Sequence, residues 1–245
     1  MKSLDINGTQ IAYLDEGEGQ PIVLVHGFSS NVAANWVNPG WVVHLTGLGY
    51  RVIALDNRGH GNSSKYYNEE DYTLAKMAGD ASGLIDHLNL VSPHVMGYSM
   101  GARITVTLAD MRGSDLGKII IAGNGFNMIE GGFDSDEVRQ ALLAPSLEDV
   151  PAGIGYDFRI FAEKTGNDLK ALAACIRGRI IERSVFENLQ NEVLVINGSE
   201  DDLATDGARL ASIIPNGRFE EVPRRNHMNV VGDKVYKQKV AEYLS

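Results

Sequence analysis

The chain has 245 residues, 44% of them hydrophobic, with 22 Lys and Arg against 32 Asp and Glu for a formal charge of −10. This length suits a single α/β domain, the apolar content excludes intrinsic disorder, and an acidic chain without a basic cluster is a poor partner for nucleic acid or an anionic membrane. Cys175 is the only cysteine, which excludes an internal disulfide and a multi-cysteine metal centre.

No apolar h-region follows Lys2, and no apolar run approaches the roughly 20 residues of a membrane span, so the sequence reads as cytoplasmic. Along the chain, Gln10–Asp15 alternates in polarity and predicts an antiparallel edge strand. Ile22–Val25, Arg51–Leu55, Pro93–Met96, Lys118–Ala122 and Glu192–Ile196 are short and rich in Val and Ile. Runs that are apolar on both faces suit central parallel strands. Between them, Leu74, Met77, Ala78, Ala81, Leu84, Ile85 and Leu88 repeat at helical spacing. Ser99–Met111 predicts a helix beginning at a sharp turn, and Phe219–Val222 a last strand. Leu203–Ile214 and Asp233–Leu244 predict the closing helices. The alternation of strand and helix predicts a mainly parallel sheet flanked by helices.

Residues 125–190 break that alternation. They show helical stripes (Ile154, Phe158, Phe161; Leu169, Leu172, Ala173, Ile176) punctuated by Gly and Pro. About 65 residues without a strand exceed an ordinary connection. The expectation is a core domain of residues 1–124 and 191–245 with a helical lid inserted at 125–190.

The chemistry-bearing signal is Gly97-Tyr98-Ser99-Met100-Gly101, between a strand and a helix. Such a turn admits only glycine at its flanks, strains its central residue and lifts the serine hydroxyl above the sheet beside free helix N–H groups. A serine nucleophile needs a base, and the base needs an orienting partner. His44, His87 and His94 fall in helix or strand patterns and read as packing or surface residues. His227 lies in a polar loop between the last strand and last helix, where it can reach over the sheet edge toward Ser99. The orienting acid belongs in Glu200-Asp201-Asp202 after a strand; Asp201 is the choice, with Asp202 as the alternative and helix capping as the bland role for all three.

The order Ser99, Asp201, His227 resembles the α/β-hydrolase superfamily, and the chain is similar to its small lid-bearing esterase, lactonase and haloperoxidase-like branch. His26-Gly27-Phe28, the loop Leu55-Asp56-Asn57-Arg58-Gly59-His60-Gly61-Asn62-Ser63, the serine elbow and the Gly198–Asp201 turn carry the likeness. The resemblance implies an α/β-hydrolase fold, a Ser-His-Asp triad and an oxyanion hole formed by the backbone N–H groups of Phe28 and Met100. It implies structural roles for His26 and His60, and an Asp56–Arg58 ion pair or backbone bonds holding their loop. Ala102, Leu203-Ala204 and Asn226 depart from the Gly, Pro and Gly common at those places. A serine at the elbow disfavours the dehalogenase and epoxide hydrolase chemistries of this fold, which use aspartate.

The expected substrate is a small carboxylic ester, thioester or lactone, in a pocket lined by Trp36, Tyr98, Phe126, Phe133, Phe158 and Phe161 as well as Phe28 and Met100. Each of these could instead be core. Arg103, just past the elbow, could locally offset the repulsion of anionic substrates. No metal or organic cofactor is expected, nor a nucleic-acid or membrane partner, and monomer and homodimer remain open. Rival readings are a ligand receptor with little turnover, perhydrolysis and C–C bond hydrolysis. A dinucleotide fold is opposed by the incomplete glycine pattern at Gly123-Asn124-Gly125.

Overall fold

The computed structural model describes residues 1–131, 135–176 and 180–245. Eight strands form one sheet: β1 (Lys2–Ile6), β2 (Thr9–Glu16), β3 (Gln20–Val25), β4 (Tyr50–Leu55), β5 (His94–Tyr98), β6 (Ile119–Ala122), β7 (Val193–Gly198) and β8 (Gly217–Val222). Their order is β1-β2-β4-β3-β5-β6-β7-β8. The pairs involving β2 are antiparallel, and all others are parallel.

The strand expected at Gln10–Asp15 is antiparallel but internal, because β1 pairs along it from Lys2↔Tyr13 to Ile6↔Thr9. Asn7 (φ 53°) and Gly8 (φ 84°) make the two-residue turn. An Asn-Gly pair takes positive φ at both positions and matches the twist of a hairpin. That pair was the available signal for β1.

Helices cover both faces of the sheet. Side chains alternate across a strand, so Val23 and Val25 of β3 face a different layer from Ile22 and Leu24. The first layer packs against α2 (Leu74–His87) and α3 (Met100–Arg112), and the second against α1 (Trp41–Gly47) and α10 (Lys234–Leu244). The Thr73 side chain caps α2 by accepting the Lys76 N–H, and Asp233 caps α10 by accepting those of Val235 and Tyr236. Between β6 and β7, the described residues form α4 (Asn127–Glu130), α5 (Ser135–Leu143), α6 (Ile154–Lys164), α7 (Leu169–Cys175), α8 (Arg183–Asn188) and short turns. Arg159 of α6 is buried and donates to the carbonyls of Ala141 and Ala144, so it fastens the end of α5 to α6.

The helix expected at Leu203–Ile214 begins four residues later, as α9 (Gly207–Ile213). Residues 203–206 are drawn instead into the turn around Asp201, which accepts Leu203 N–H at its side chain and Ala204 N–H at its carbonyl.

Asp56 and Arg58 do not pair with each other. Asp56 staples its loop by accepting the backbone N–H groups of Val32 and Asn62, both at 2.8 Å. Arg58 reaches across to Asp80 of α2 and makes a two-pronged contact at 2.6 and 2.7 Å, with both side chains buried. Removing one partner of such a pair strands a buried charge. Asp80→Ala is expected to lower the unfolding free energy by about 3–5 kcal/mol in chemical denaturation; a loss under about 1 kcal/mol, the range of an exposed ion pair, would show that water reaches Arg58.

Candidate active site

Ser99 sits between β5 and α3 with φ 54° and ψ −116°, a sparsely populated conformation for a residue with a side chain. The backbone tolerates it because the neighbouring glycines allow very close packing. A Cβ on Gly97 would lie 2.2 Å from the Gly101 carbonyl oxygen, and one on Gly101 would lie 2.0 Å from that of Val25. Ala102, where a third glycine would be usual, is fully buried. The Ser99 carbonyl accepts the Ala102 N–H and the Asn124 side-chain amide, at 2.9 and 2.6 Å. Asn124 is in turn bonded at both backbone groups by the Asn197 side chain. Sequence reasoning missed both asparagines, since a buried amide bridging strand ends leaves no local pattern.

His227 reaches Ser99 from the loop after β8. Its Nε2 lies 3.0 Å from Ser99 Oγ, and its Nδ1 lies 2.9 and 3.0 Å from the two carboxylate oxygens of Asp201. A carboxylate can only accept, so Nδ1 carries the hydrogen and Nε2 is the ring nitrogen turned to the serine. The Asp201 side chain is fully buried, whereas Asp202 is exposed. Asn226 tightens the loop by accepting the N–H groups of Met228 and Asn229. Tyr98, one residue before the serine, donates its hydroxyl to the His227 carbonyl. Burial pushes that phenol well above its ordinary pKa, so it remains a donor.

Met100 opens α3, where a helix N–H has no intrahelical acceptor. Phe28 follows Gly27, whose added Cβ would lie 3.3 Å from Ser99 Cβ. Its N–H has no acceptor among the described residues. The two N–H groups expected to hold a negative oxygen therefore come from the first residue of α3 and from the loop after β3, which packs against Ser99 at Gly27.

His26 and His60 lie behind this loop. Each has one ring nitrogen at a carbonyl (Nδ1 to Gly27 O, 2.7 Å, and to Arg58 O, 3.0 Å) and the other at a backbone N–H (Nε2 to Asn57, 3.0 Å, and to Ser29, 3.3 Å). That pattern accommodates only neutral imidazole. Burial lowers their pKa values to about 4 and about 3.

The aromatic residues expected to line a pocket divide. Phe28 packs edge-on against Phe158, with ring centroids 5.6 Å apart, and Phe161 is half-buried on the same helix. Phe126 is buried under the Arg209 guanidinium. Trp36 is instead fully buried in the core layer of α1 and α10, edge-on to Trp41, because the short helical turn at residues 33–37 packs into that layer. Tyr98 acts as the strut just described. Phe133 lies outside the described residues. Arg103 donates to the Asn127 and Met128 carbonyls of α4, which also accept the Gly131 and Ile181 N–H groups. Among the described residues no three His, Cys, Asp or Glu side chains gather as a metal site, and no helix is long and apolar enough to cross a membrane.

Residues 20–150 match the family model of the α/β hydrolase fold. A relative from Mycobacterium tuberculosis, provisionally named a non-heme bromoperoxidase, is 27% identical over 89% of this chain and 90% of its own. The enol-lactonase from Burkholderia xenovorans LB400 superposes with a TM-score of 0.80 at 22% identity, covering 99% of both chains. An esterase from Exiguobacterium antarcticum gives 0.79 at 23%, covering 98% of this chain and 97% of that one.

The two buried histidines set an acid limit on stability. Both take up a proton on unfolding at any pH between their folded values and 6.5, so their contribution is complete above pH 6.5 and declines below it. Between pH 6 and 5 the unfolding free energy should fall by about 1.2 kcal/mol for each histidine, and the slope should be shallower in His60→Gln. A flat profile over that interval in denaturant titrations would show that neither is held neutral.

Proposed function

Because the chain belongs to the α/β-hydrolase fold family, we propose that it is a serine hydrolase that cleaves small carboxylic esters, thioesters or lactones through an acyl-enzyme. The observation that carries this reading is the contact chain from Ser99 Oγ to His227 Nε2, 3.0 Å, and from His227 Nδ1 to Asp201, 2.9 Å. The esterase and enol-lactonase with similar folds agree with it.

In this mechanism, Ser99 Oγ bonds to the substrate carbonyl carbon as His227 Nε2 takes its proton. The carbonyl electron pair moves to oxygen, where the Phe28 and Met100 N–H groups hold it. Asp201 keeps the ring in the required tautomer and stabilises the imidazolium. Collapse returns the pair, breaks the bond to the leaving group, and His227 protonates that group. Water activated by His227 then releases the acid. The apolar contact of Phe28 with Phe158 favours uncharged acyl groups, and helices α4 to α8 serve as a lid over the site.

A second reading keeps the same acyl-enzyme and replaces water by hydrogen peroxide, giving a peracid. The relative provisionally named a bromoperoxidase favours it. Comparing peracid with acid production from one ester, with peroxide present, separates the two.

Hydrolysis of p-nitrophenyl acetate, butyrate and octanoate should be measurable and lost in Ser99→Ala, along with covalent labelling by a fluorophosphonate. Labelling that persists at another residue defeats the nucleophile assignment. Asp201→Asn should lower kcat by about 10⁴-fold, as expected when the histidine tautomer is wrong, whereas Asp202→Asn should change it less than about twofold, since a charge exposed to water contributes little. The reverse order would assign the acid to Asp202.

A further inference from the structure

We propose that the turn between α6 and α7, through Asn167 and Thr165, is a positioning device for the Phe28 N–H, so that the segment covering the site also builds its oxyanion hole. This rests on the serine-hydrolase reading above.

Three separate parts of the chain meet at Ser29, the residue after Phe28. Ser29 has φ 58°, a left-handed conformation that a residue with a side chain holds only under constraint. Its N–H is held by His60 Nε2. Its carbonyl accepts from Asn167 Nδ2 at 3.0 Å and lies 2.8 Å from Thr165 Oγ1. Asn167 Nδ2 also donates to the Ser30 carbonyl at 3.1 Å, and Asn167 Oδ1 accepts the Gly61 N–H at 2.8 Å. One buried amide therefore ties the 28–30 loop to the 59–61 loop. Asn31 closes the contact from the other side, donating to the Thr165 carbonyl at 3.2 Å.

The direction of the Phe28 N–H depends on the peptide planes beside it. His60 holds the Ser29 N–H, which lies in the plane that follows Phe28. Asn167 holds the Ser29 carbonyl, which shares its plane with the Ser30 N–H; that N–H donates to the Gly27 carbonyl at 3.3 Å, and this carbonyl lies in the same peptide plane as the Phe28 N–H. Gly27, on the other side, is packed against Ser99, and its N–H is held by Asn35 Oδ1 at 3.0 Å. Moving the turn away would leave the Ser29 carbonyl and the Gly61 N–H without these partners, and burial makes such losses costly. Cover and oxyanion donor are thereby coupled by hydrogen bonds rather than by proximity alone. Asn167 touches neither substrate nor reacting atoms; it acts through Ser29.

The test uses Asn167→Asp, which keeps the size and the acceptor for Gly61 but removes the donor, and Thr165→Val, which removes only the hydroxyl. Each variant is titrated with a fluorophosphonate, so that rates refer to folded, reactive sites. For Asn167→Asp we expect kcat on p-nitrophenyl acetate per titrated site to fall by about 10- to 100-fold, less than loss of a whole donor or about that of a 1 Å misplacement. KM should change less than about threefold, the pattern of an interaction made only in the transition state. The inhibition constant of a phenyl trifluoromethyl ketone, whose adduct carries the oxyanion, should rise by the same factor as kcat falls. Thr165→Val should show the same pattern at smaller size. A purely structural tie would lower the melting temperature and the titrated fraction while leaving kcat per site and ketone affinity unchanged; that result overturns the proposal. If Asn167→Asp does not fold, Thr165→Val decides alone. Wild-type protein that neither labels nor turns over would instead refute the underlying serine-hydrolase reading.

Discussion

The close approach of α3 to the ends of β3 and β5 is the constraint on which the rest of the site depends. With glycine at 97 and 101, the helix start sits against carbonyl oxygens at distances that no Cβ could occupy. That contact sets the strained conformation of Ser99, raises its hydroxyl above the sheet edge and aims the first N–H groups of α3 at the space above it. The other residues proposed for the site come to this point from loops: Phe28 after β3, Asp201 after β7 and His227 after β8.

Loops can hold such geometry only when their backbone groups are satisfied. Here the partners are buried polar side chains. His26 and His60 each join a carbonyl to an N–H, Asn124 and Asn197 bridge two strand ends beneath Ser99, Asp56 gathers two N–H groups, and Tyr98 holds the His227 carbonyl. A buried polar group costs little when fully paired and much when one bond is lost. The loops are therefore rigid at the expense of tolerance to acid, since neutral histidine is part of the arrangement. Arg58 extends the same logic by anchoring the 56–63 loop to α2 through Asp80.

Much of the fold was legible because its signals are local. Both-face apolar runs marked β3 to β7, and the stripe from Leu74 to Leu88 marked α2, as burial on one or both faces writes its period into the sequence. The serine elbow was legible for a steric reason, since only glycine permits that turn. Departures occurred where partners are distant in sequence. Of the two expectations for the 56–58 loop, Asp56 follows the backbone bonds and not the ion pair, while Arg58 pairs with Asp80, 22 residues away instead of two. The Leu203–Ile214 pattern hid a turn that surrounds Asp201. Trp36 is buried in the core layer of α1 and α10, which depends on how its short helical turn docks and not on its aromatic character.

The sequence by itself determined the element types, the strand-turn-helix at Ser99 and the short set of histidines and acids from which a base and its partner could be drawn, because turn sterics and periodic burial act within a few residues. Only the tertiary structure buried Asp201 against His227 and left Asp202 exposed, placed Tyr98, Asn124 and Asn197 as struts, and brought Asn167 to Ser29 across more than a hundred residues. Hydrogen bonds are satisfied in space, not along the chain. Which of two adjacent carboxylates is buried beside an imidazole follows from where the strand ends and how the next turn closes, and that is settled only when the whole sheet is assembled.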